Sequence, residues 1–123
     1  MRAGLLRAPG PISARPLDLV ELDDPEPGRG EITVAVSACG VCRTDLQLVS
    51  GDLAARTLPI VPGHQVVGRV VAVGAGVSGW TPGDRVGVGW VAATCGRCRF
   101  CASGRENLCE EATFTGWDRN GGF

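Results

Sequence analysis

The sequence has no lysine and no tyrosine, and it has one histidine and one methionine. All twelve basic residues are therefore arginine, which reads as GC-rich coding rather than as function. No run approaches the roughly 18 apolar residues that a membrane-spanning helix needs. The opening Met1-Arg2-Ala3-Gly4-Leu5-Leu6-Arg7-Ala8-Pro9-Gly10 lacks an apolar stretch long enough for a secretory leader. A formal net charge of −1 excludes an electrostatic case for nucleic acid or for an anionic membrane surface. Nineteen glycines and eight prolines, spread along the chain, leave no room for a long helix. Six cysteines without a secretory leader point instead to metal or thiol chemistry in a reducing cytoplasm.

The 123 residues correspond to one domain by length, large enough to bury roughly two-thirds of the unfolded surface. The pattern is of strands cut by turns. Glu31 to Ala38 is an alternating, β-branched run and predicts a strand. Leu17 to Leu22, Val66 to Val73 and Arg85 to Val91 predict further strands, and Gly121-Gly122-Phe123 predicts the start of another. Thr44 to Val49, closed by Ser50-Gly51, predicts a short helix. Together these indicate an all-β barrel or sandwich with small helices. Gly74-Ala75-Gly76-Val77-Ser78-Gly79 matches a dinucleotide fingerprint, but Thr81-Pro82-Gly83 follows where a helix would have to open. It reads as a hairpin connection. Asp84-Arg85 reads as a turn with an ion pair.

Cys95, Cys98, Cys101 and Cys109 fall within fifteen residues as Cys-x-x-Cys-x-x-Cys-x₇-Cys. Two-residue gaps let neighbouring cysteines of one tight loop face a single tetrahedral ion at about 2.3 Å. The linking residues carry little apolar material, so the metal would supply the free energy that orders the segment. Disulfides fit poorly without a secretory context. A ferredoxin-type cluster would close on a three-residue gap followed by proline, whereas here the gap is seven and Glu110 follows. Chance clustering is the bland alternative. A structural zinc lobe over residues 95–109 is the favoured reading.

Cys42 and His64 are a second candidate pair, and any imidazole role falls to His64. A Cys and a His from separate segments, joined by a third ligand, would leave one open zinc position, the pattern of a catalytic site. Asp45 could accept the imidazole N–H as a carboxylate behind the ligand. On residue types alone a hydrogen-bonded structural histidine remains open, as does a redox Cys39-Gly40-Val41-Cys42 pair without a thioredoxin-like frame around it.

In order, Gly40-Val41-Cys42-Arg43-Thr44-Asp45, Pro62-Gly63-His64-Gln65-Val66-Val67-Gly68, Gly83-Asp84-Arg85-Val86 and the four-cysteine lobe ending Gly104-Arg105-Glu106-Asn107-Leu108-Cys109 form one string. That string closely resembles the N-terminal part of zinc-dependent medium-chain alcohol dehydrogenases, over nearly the whole chain. The resemblance implies a mainly β, GroES-like, partly open barrel with short helices and a zinc-binding lobe. It also implies a catalytic zinc at Cys42 and His64, beside the structural zinc at Cys95, Cys98, Cys101 and Cys109. Thr44 would take the substrate proton, Arg43 would contact the pyrophosphate of NAD or NADP, and Trp90 would line the substrate pocket; a core role for Trp90 stands equally open. Two residues depart from the common family pattern. Gln65 replaces a glutamate after the ligand histidine, and Gln47 stands where a relay histidine is frequent. By the same resemblance, residues 1–123 are an incomplete domain, with the third catalytic ligand and a Rossmann cofactor domain expected beyond Phe123.

The implied activity is that of a cytoplasmic oxidoreductase, a homo-oligomer as the full-length protein, that interconverts small alcohols with aldehydes or ketones. The isolated chain is expected to be inactive, with no nucleic-acid or membrane partner. The contrasting expectation is a non-enzymatic, zinc-stabilised β-barrel binding module.

Overall fold

Alternation of small and β-branched apolar residues builds most of the regular structure. A computed structural model describes all of residues 1–123. The elements are β1 (Arg2–Leu6), β2 (Leu17–Glu21), β3 (Ile32–Gly40), α1 (Arg43–Ser50), β4 (Gln65–Val73), β5 (Arg85–Val88), β6 (Val91–Ala93) and β7 (Thr113–Phe114). All strand pairs are antiparallel and form three sheets, β1-β2, β3-β4-β5 and β6-β7. In β4, Val66, Gly68 and Val70 face inward while Gln65, Val67 and Arg69 face out, the period-two pattern of a half-buried strand. The Gly74–Gly79 segment joins β4 to its antiparallel neighbour β5 and opens no helix. The single α-helix is eight residues long, and no helix is long and apolar enough to cross a membrane.

Three sequence expectations need correction. Arg85 to Val91 is not one strand: the chain breaks at Gly89-Trp90, because β5 pairs with β4 while β6 turns away to pair with β7. Asp84 makes a turn but no ion pair with Arg85. Its carboxylate is directed back onto Thr81, accepting from the backbone N–H at 2.7 Å and the hydroxyl at 3.1 Å. Gly121 to Phe123 forms no strand, although backbone bonds tie it to Gly4, Val61, Pro62 and Gly63. Strand β1 carries no sequence signal strong enough to predict it, being five residues with a central glycine.

That unannounced strand positions the site. Leu6 and Ile60 exchange backbone hydrogen bonds at 2.7 and 3.0 Å. Their side chains join Leu48 and Val49 of α1 in one buried cluster. The segment that precedes His64 and the helix that follows Cys42 are thus fastened to the same apolar knot. Leu6 is fully buried, so Leu6→Ala is expected to cost about 2–5 kcal/mol in urea denaturation. Leu19→Ala, on the exposed face of β2, is expected to stay within about 0.5 kcal/mol. Equal effects of the two substitutions would contradict this packing.

Candidate functional site

Helix α1 begins on a cysteine. Cys42 is extended (φ −123°, ψ 175°), and its Sγ accepts the Thr44 N–H at 3.3 Å. In return Asp45 Oδ2 accepts the Cys42 N–H at 2.9 Å, a reciprocal cap on the first turn. The other Asp45 oxygen accepts the Gly63 N–H at 3.2 Å and stands 3.2 Å from His64 Nδ1. Asp45 and His64 are both buried. With Nδ1–H donated to this carboxylate, Nε2 keeps its lone pair and faces Cys42 Sγ at 3.1 Å. Gly63 can supply the backbone turn here because it has no side chain. Its φ is +99°, and a Cβ would come within 2.8 Å of Cys39 Sγ and 2.7 Å of Phe123.

Cys42 Sγ and His64 Nε2 are the two donors this cluster offers, since both Asp45 oxygens are engaged. One zinc ion at about 2.3 Å from sulfur and about 2.1 Å from nitrogen sets such donors roughly 3.5 Å apart, so the pair fits after opening by a few tenths of an ångström. Asp45→Asn tests the orienting role. An amide can accept on one side only, so either the helix cap or the imidazole N–H loses its partner. Zinc affinity measured by chelator competition is expected to fall about 10–100-fold, and an unchanged affinity would refute the role.

The four-cysteine segment has its own geometry. All four sulfurs lie within 4.8 Å of one another, with Cys98–Cys101 at 3.5 Å and Cys95–Cys101 at 4.0 Å. A tetrahedral ion at about 2.3 Å places its thiolates about 3.8 Å apart, which these two separations bracket. Backbone N–H groups are aimed at the sulfurs, Cys98 at Cys95 and Cys95 at Cys109, each at 3.4 Å. The Arg97 N–H, followed by that of Cys98, pulls the Cys95 thiol down to about 6, and the Cys101 N–H lowers that of Cys98. Desolvation first, and then the Cys98 thiol, pushes Cys101 up to about 11. Like charges so close cannot all form unaided; a divalent cation relieves that repulsion, and the donor set suits zinc. All six cysteines are free thiols. Cys39 stands apart from Cys42, against Gly63 and Gly122, with its thiol pushed up by desolvation. The structure therefore does not bring a Cys39–Cys42 redox pair together.

The remaining candidates divide. Thr44 is half-buried in the first turn of α1 and Arg43 beside it is exposed. Trp90 stands edge-on to the His64 ring, centroids 4.8 Å apart. Gln65 is exposed with its amide over Gly40, and it makes no hydrogen bond to Cys42 or His64. Residues that the sequence did not single out complete the surroundings. Phe114 and Trp117 stack beside Trp90, and the Arg56 guanidinium lies 3.8 Å over Trp117. Their one sequence signal was scarcity: three of the six aromatic residues gather here.

Residues 28–123 match the family model of the alcohol dehydrogenase GroES-like domain. The chain belongs to that family. It is 46% identical over 128 residues to the "Probable alcohol dehydrogenase AdhA" of Mycobacterium tuberculosis (strain CDC 1551 / Oshkosh), covering 100% of this chain and 37% of that protein. Identity to the aldehyde reductase YahK of Escherichia coli (strain K12) is 42% over 111 residues, 89% of this chain and 32% of YahK. A cobalt- and zinc-bound thermostable alcohol dehydrogenase from Pyrobaculum aerophilum superposes with a TM-score of 0.89 at 36% identity, covering 99% of this chain and 36% of that one. The GroES-like domain thus has the mainly β fold expected of it, and it spans about a third of the length of these curated relatives.

Proposed function

We propose that this chain is the zinc- and substrate-binding portion of an NAD(P)-dependent alcohol dehydrogenase that interconverts alcohols with aldehydes or ketones. The reading is carried by one observation: Cys42 Sγ and His64 Nε2, 22 residues apart, meet at 3.1 Å with the far side of the imidazole held by buried Asp45. A structural ion pair or a packed histidine would not need a cysteine at the helix cap as its partner. Cys42 and His64 would hold a catalytic zinc, which supplies Lewis-acid polarisation of a substrate oxygen. Cys95, Cys98, Cys101 and Cys109 would hold a structural zinc.

The chain's own residues have separable tasks in this reading. Asp45 fixes the imidazole tautomer through Nδ1. The Thr44 hydroxyl would take up the substrate hydroxyl proton, and Gln47, whose amide does not titrate near neutral pH, would not relay it onward. Exposed Arg43, at the amino end of α1, offers a planar guanidinium to the NAD or NADP pyrophosphate. Trp90 presents its ring beside the reacting centre. Free thiols throughout suit a cytoplasmic setting, and the family resemblance supports a homo-oligomer.

The test is to purify the whole enzyme that carries this domain, count its zinc and assay alcohol-dependent reduction of NAD and NADP. Two zinc equivalents per chain with turnover are expected. One equivalent with no turnover of any alcohol or aldehyde would replace this reading with the zinc-stabilised binding module.

A further inference from the structure

The four residues before His64 leave no backbone polar group without a partner. Ile60 N–H donates to Leu6 O at 3.0 Å, and Ile60 O accepts the Leu6 N–H at 2.7 Å. Val61 O accepts the Gly121 N–H at 2.6 Å, Pro62 O the Phe123 N–H at 3.1 Å and Gly63 O the Gly122 N–H at 3.0 Å. Pro62 has no N–H to donate. The remaining two donors go to side chains. Gly63 N–H donates to Asp45 Oδ1 at 3.2 Å, and Val61 N–H donates to Asn120 Oδ1 at 3.0 Å across 59 residues of sequence. Asp45 also stands against the His64 ring, whereas Asn120 makes no hydrogen bond to Cys42, Asp45 or His64. Residues 120–123 thus lie along residues 61–63 as a clasp. A Cβ at Gly121 would run into the carbonyl oxygens of Pro62 and Gly63, so glycine is what lets the two segments approach this closely. Three bonds of the clasp join backbone to backbone and survive most substitutions. The fourth belongs to the Asn120 side chain alone. Asn120 is exposed while Val61 is 2% exposed, so the amide reaches from the surface to a buried residue.

We infer that Asn120 is a positioning residue for the zinc site: by accepting the Val61 N–H it fixes the peptide that carries His64, and with it the reach from His64 Nε2 to Cys42 Sγ. The inference rests on the zinc reading of Cys42 and His64 and deepens it. The lever is short, since Val61 stands three residues before His64. A buried N–H left without an acceptor is costly, so the segment shifts to find another when the Asn120 carbonyl is removed. Metal donors tolerate displacements of only about 0.2 Å, so a small shift of this peptide is felt at the imidazole. Aspartate keeps an acceptor oxygen at this position and alanine keeps none.

The test compares the whole enzyme that carries this domain as wild type, Asn120→Ala and Asn120→Asp. Zinc affinity is measured by chelator competition, and site geometry by the visible absorption of the cobalt-substituted enzyme. The four-cysteine lobe is the internal reference, because it makes no hydrogen bond to residues 60–64 or 120–123. Asn120→Ala is expected to weaken zinc at Cys42 and His64 about tenfold, to leave the lobe zinc within about twofold and to shift the cobalt spectrum. Asn120→Asp is expected to restore both affinity and spectrum. Lower thermal stability in Asn120→Ala with wild-type zinc affinity and an unchanged cobalt spectrum would overturn the proposal. So would an equal loss from both zinc sites, or an Asn120→Asp variant that restores neither readout. A wild type that holds the lobe zinc alone would end the zinc reading by itself. The positioning role is then read from the His64 ring nitrogen shifts in NMR, which should move in Asn120→Ala and return in Asn120→Asp. Shifts that stay unchanged in Asn120→Ala would overturn it.

Discussion

Removing zinc from the 95–109 lobe, by chelation or by Cys98→Ala, is expected to open that segment to trypsin at Arg97, Arg99 and Arg105. All three arginines are exposed, and with no lysine in the chain every tryptic site is an arginine. The lobe holds itself closed by little else. Its backbone bonds are local, as in Ala102 N–H to Cys98 O and Arg105 N–H to Phe100 O. None of its residues joins either apolar cluster, and Cys109 is the only one that is buried. The ion pairs at its rim, Arg97–Glu111 and Arg99–Glu110, are exposed and contribute about 0–1 kcal/mol each. In the proposed zinc-bound lobe the metal is therefore the dominant stabilising interaction, and its loss should speed cleavage in the lobe by at least ~100-fold, equivalent to about 3 kcal/mol of lost protection. Cleavage should stay confined to the lobe at first, because the Leu6–Ile60 cluster and the β3-β4-β5 sheet do not depend on it. Mass spectrometry of the early fragments, read beside the zinc content, decides the matter. An unchanged digestion pattern after complete zinc loss would show that the lobe is held by something other than metal.

Cys42→Ala is expected to separate stability from activity in the whole enzyme. Alanine keeps the backbone N–H that Asp45 accepts but loses the sulfur that accepts the Thr44 N–H. Loss of half of this cap costs about 1 kcal/mol. Turnover should fall far more. The substitution removes one of the two donors that face each other at 3.1 Å, and Lewis-acid stabilisation of developing charge amounts to several kcal/mol, a loss of at least ~10³-fold in kcat/KM. The checks are thermal unfolding, zinc content and steady-state kinetics on one preparation. A folded variant with one zinc fewer and almost no turnover supports the assignment. A variant that loses stability and keeps its specific activity would refute it.

Much of the site's chemistry was legible because it is local. Two-residue gaps between cysteines leave few geometries for their side chains, and the lobe brings those sulfurs together over fifteen residues. Strand β4 and helix α1 were legible for the same reason, since apolar period and capping residues act over a few positions. Strand β1 was not, because its identity lies in the partners it finds, Leu17–Glu21 and Ile60. The break at Gly89-Trp90 was hidden likewise, since the alternation runs on unbroken while the pairing partner changes.

The sequence by itself determined which donors exist: one imidazole, six thiols, and a carboxylate three residues after Cys42. Only the tertiary structure decided that Cys42 meets His64, that Asp45 touches both, and that Arg56 covers Trp117 from a loop dozens of residues away. Those meetings depend on Leu6, Ile60, Leu48 and Val49 burying one another, which draws α1, through its last turn, and the segment before His64 to the same place. Hydrophobic burial is non-directional and leaves no spacing rule in the chain, so residues brought together by it carry no local mark of their partners.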